Sequence, residues 1–98
     1  MKILKIEENK ALFITKDEGK WSNIELLNKE DLLRLSYLII NIENIEMDNY
    51  DAELIGSIAS QIIYKNVFEK LNELKVNKQK ILDDVQSTYK DKFDKYNN

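Results

Sequence analysis

Apolar positions in the first 22 residues fall into short β-prone runs, Lys2-Ile3-Leu4-Lys5-Ile6 and Ala11-Leu12-Phe13-Ile14-Thr15. Glu7-Glu8-Asn9-Lys10 separates them, and Asn9 tolerates the left-handed backbone that a tight hairpin turn demands. Asp17-Glu18-Gly19-Lys20 reads as a second turn, with Gly19 where a positive φ costs nothing. A short third strand is expected at Lys20–Ser22. Residues 1–22 are therefore read as a small antiparallel sheet, which persists only if another element covers its apolar face.

From residue 28 onward the pattern turns helical. Asn28 is a good N-cap with Asp31 three residues on, and it opens a helix expected over 29–42. Leu32, Leu33, Leu35, Tyr37, Leu38, Ile39, Ile40 and Ile42 cover far more of that helix than one narrow face. Such a helix is expected to be central in the core, or covered by a second copy of the chain. The polar stretch Glu43–Asp51 follows as a connector. A second helix is expected over 51–76, capped by Asp51 or Asn49. Its early stripe (Leu54, Ile55, Ile58, Ala59, Ile62) and later stripe (Ile63, Tyr64, Val67, Phe68, Leu71, Leu74) point to different sides. The helix is thus either bent near 60–64 or in contact with different partners along its two halves. Asn77 reads as the cap of a third helix over 78–96, whose face is marked by Ile81, Leu82, Val85, Tyr89, Phe93 and Tyr96. The expected fold is α+β: one domain over 1–98, with a small N-terminal antiparallel sheet of two to three strands on three α-helices.

Composition narrows the chemistry. The chain has neither cysteine nor histidine. This excludes disulfides, thiolate nucleophiles, thiolate or imidazole metal sites, and the commonest general base. Eighteen acidic against fifteen basic residues give a net charge of −3, and Arg34 is the only arginine. A mildly acidic chain whose cations are nearly all lysine is a poor nucleic-acid binder. The longest apolar run, Leu35–Ile42, is interrupted by Ser36 and Asn41 and is far shorter than the roughly 20 residues of a bilayer span. Acids at Glu7 and Glu8 break the opening where a signal peptide would be apolar. A cytoplasmic location, without membrane association, is expected.

Few residues form a chemical constellation. Asp83 and Asp84 are adjacent, so on a helix they point about 100° apart and cannot serve one substrate atom. The serines have no histidine partner. Gly56-Ser57-Ile58-Ala59-Ser60 places small residues where another helix could approach closely. No catalytic, metal or cofactor-binding residue is expected, and no cofactor. Glu43, Glu46, Asp48, Asp51 and Glu53 form the densest acidic stretch, either a solvated connector or a patch for a basic partner. Trp21 and Tyr50 lie near a turn and a connector, where an aromatic ring is expected to be exposed as an interface anchor.

Met1-Lys2-Ile3, Asn9-Lys10-Ala11-Leu12-Phe13, Lys29-Glu30-Asp31-Leu32-Leu33, Glu46-Met47-Asp48-Asn49-Tyr50-Asp51, Gln61-Ile62-Ile63-Tyr64-Lys65, Tyr89-Lys90 and Lys95-Tyr96 follow one another along the chain. In this layout it resembles small uncharacterised proteins of low-GC Gram-positive bacteria and their phages and mobile elements. The resemblance brings no assigned activity and no functional residues. In size and charge alone the chain is also similar to anti-CRISPR inhibitors, which bind a host protein without catalysis. The expected function is a non-enzymatic protein–protein interaction module, an inhibitor or regulator of a host protein. The alternatives are a homo-oligomeric structural protein that pairs through its first helix, and an acidic mimic of nucleic acid.

Overall fold

A computed structural model describes residues 1–17 and 19–96, with side chains described for 1–17 and 19–78. The strands are β1 (Lys2–Glu7), β2 (Lys10–Ile14), β3 (Trp21–Asn23) and β4 (Glu46–Met47). They form one sheet in the order β3-β2-β1-β4. Glu8 and Asn9 both have positive φ, 51° and 66°, which is the left-handed pair that closes a two-residue β1–β2 hairpin. Gly19, at φ 77°, makes the turn into β3. These turns follow the sequence expectation. The sheet is mixed rather than purely antiparallel, because β4 runs parallel to β1.

Helix α1 (Lys29–Asn41) starts with a complete capping box: Asn28 accepts from the Asp31 N–H at 2.8 Å, and Asp31 accepts from the Asn28 N–H at 3.2 Å. Helix α2 runs unbroken from Ile58 to Tyr96. The expected three helices are therefore two. The chain contains no proline, and an asparagine inside a helix costs only about 0.6 kcal/mol, so Asn77 is carried through rather than acting as a cap. The start also differs from expectation. Asp51 caps a separate 3₁₀ turn, Ala52–Leu54, by accepting from the Glu53 N–H. Ser57 begins α2 instead, its hydroxyl accepting from the Ser60 N–H at 3.3 Å. Gly56 precedes the helix and gives its N–H to the Asn9 carbonyl oxygen, and a Cβ there would meet only ordinary contacts at 3.6 Å.

One apolar cluster joins these elements. Leu4, Ala11 and Phe13 from the sheet meet Leu35 and Ile39 from α1, and Tyr64, Val67 and Leu71 from α2. Ile3 and Leu4 are both buried although adjacent, because β1 carries one extra residue against β4 at that point. The later apolar stripe of α2 packs on this core; of the early stripe Ile55, which precedes the helix, is buried in it, while Leu54, Ile58 and Ile62 are exposed. The third-helix stripe, Ile81 to Tyr96, lies outside the residues whose side chains are described. Helix α1 is not central: it buries Leu35 and Ile39 and leaves its outer side bare.

Two stability measurements by urea titration follow. Leu71→Ala should cost about 2–5 kcal/mol and Ile62→Ala less than about 0.5 kcal/mol. Asn77→Ala should be neutral or stabilising by up to about 0.7 kcal/mol; a helix start there would instead lose about 1 kcal/mol.

Candidate interaction surface

The outer side of α1 carries Leu33, Tyr37 and Ile40, which are 61%, 66% and 52% exposed. Spacings of four and three residues place them within an arc of about 60° on the helix, roughly opposite the buried Leu35 and Ile39. The excess of apolar positions in this helix is thus resolved into two faces. One belongs to the core, and the other meets water over two turns. Three large apolar side chains in a continuous row differ from the scattered exposed residues that any surface shows.

Contacts from other elements fix the rotation of α1. Arg34 Nη2 donates to the Ile14 carbonyl oxygen at 2.6 Å, holding the front of the helix to β2. At the other end α1 has no basic residue in its last turn. Lys78 of α2 supplies one, donating to the Ile39 carbonyl oxygen at 2.9 Å, while Lys75 donates to that of Ile45 at 2.6 Å. With both ends held, Leu33, Tyr37 and Ile40 cannot turn inward.

The acidic connector has a different role. Asp48 Oδ1 accepts from Lys2 Nζ at 2.9 Å and Oδ2 from the Ile6 N–H at 3.0 Å. Its backbone N–H donates to the Leu4 carbonyl oxygen, and its own carbonyl accepts from the Tyr64 hydroxyl. Burial alone would raise the Asp48 carboxyl, but the Lys2 and Ile6 hydrogen bonds and the charges of Lys2 and Lys5 outweigh it, holding the group below its ordinary 3.8. The Lys2 ammonium is raised in turn, by its hydrogen bond to Asp48 and then by that carboxylate's charge. Burial, then the charge of Asp48, pushes the Tyr64 phenol well above its ordinary value of 10, so it stays a neutral donor.

Of the candidate residues, Asp48 and Asp51 are taken up by these structural bonds, while Glu43, Glu46 and Glu53 remain exposed. Trp21 and Tyr50, expected to be exposed, are both half-buried. Trp21 lies on the outer sheet face under Lys5, whose Nζ sits 4.5 Å from a ring centroid. Tyr50 packs against the core. Trp21 is half-buried because Lys5 covers its ring on the strand expected there, and Tyr50 because β4 orders the connector that carries it.

Two surface cavities, of about 310 and 550 Å³, flank α1. The smaller is lined by Lys75 and Lys78, whose ammonium groups serve backbone carbonyls. The larger is lined by Arg34, whose guanidinium does the same. Among the described residues no group of three acids could hold a metal ion, and no helix is long and apolar enough to cross a membrane. No family model, curated protein or solved structure matches the chain.

Asp48→Asn should destabilise the fold by about 1 kcal/mol at neutral pH, a modest figure because the side chain is one-third exposed. A carboxyl held below its unfolded value contributes fully above about pH 5, and the contribution is lost as pH falls through the folded value. The variant and the parent should therefore converge in stability towards about pH 2. A gap that persists in acid would show that the charge on Asp48 is not its source.

Proposed function

We propose that this chain is a non-enzymatic protein-interaction module that docks its partner on the outer face of α1. The observation that carries this is the row Leu33, Tyr37 and Ile40, apolar and exposed on a helix whose rotation is fixed from both ends. Burying each of these half-exposed side chains on docking would contribute about 1–2 kcal/mol before the cost of association. Tyr37, in the middle of the row, has the ring and hydroxyl typical of an interface anchor. An inhibitor or regulator of another protein needs such a face and no catalytic cavity. Since Asp48 and Asp51 are committed within the fold, the apolar row is favoured over an acidic mimic built from the connector.

The test is affinity capture with tagged chain from cells that also produce the untagged chain, comparing the parent with the double variant Leu33→Lys/Tyr37→Lys. Both positions are exposed, so the variant should keep its circular dichroism and its melting temperature within a few degrees. At least one polypeptide, a second copy of the chain included, should be retained by the parent and reduced at least about tenfold by the variant. Identical retention by the two would refute docking through α1.

A further inference from the structure

We draw no further inference here: the strongest candidate, the apolar surface patch that Leu54, Ile58 and Ile62 leave exposed at the start of α2, carries nothing because nothing in the structure shows what covers it.

Discussion

The cation that α2 brings to the end of α1 is the contact on which the rest of the arrangement turns. Helix α1 ends at Asn41 without a glycine cap and without a basic residue of its own, so its last carbonyls need donors from elsewhere. Lys78 of α2 meets that need across the gap between the helices, and Lys75, one turn before it, holds the Ile45 carbonyl just ahead of β4. Lys78 sets the register of one helix on the other and so decides which side of α1 is buried. The two lysines also lie either side of Asn77, which ties α2 to the body through the point where a new helix was expected.

A second tie works at the β4 edge of the sheet. Asp48 holds the connector to β1 through a charged side-chain contact with Lys2 and two backbone contacts with Leu4 and Ile6, and to α2 through the Tyr64 hydroxyl. A two-residue strand could not persist alone, and β4 exists because its neighbour is pinned in this way. The acidic connector therefore belongs to folding before it belongs to recognition.

Local signals made part of this legible. Asn9 and Gly19 announced the turns, and Asn28 with Asp31 announced the start of α1, because each acts on backbone within a few residues of itself. The start of α2 was placed too early, at Asp51 or Asn49, because Asp51 is a competent cap; packing gives it the 3₁₀ turn and gives Ser57 the helix. Strand β4 left no periodicity to read. The exposed face of α1 was half legible. The apolar excess of α1 was plain, but Leu32, Leu33 and Leu35 are followed by Tyr37–Ile40 as an unbroken apolar run, so the sequence could not say which residues face out. Only Arg34 on β2 and Lys78 on the last turn resolve that. Trp21 was misjudged because the strand that carries it is three residues long, and its cover, Lys5, comes from a strand two places away in the sheet.

The central claim is that α1 has two apolar faces, one spent on the core and one left exposed to water. The most direct measurement is the relaxation of leucine and isoleucine methyl resonances by a soluble paramagnetic probe in a dilute solution of the chain. The account predicts strong relaxation at Leu33 and Ile40 and protection at Leu35 and Ile39. Equal protection at all four positions in the dilute monomer would contradict it.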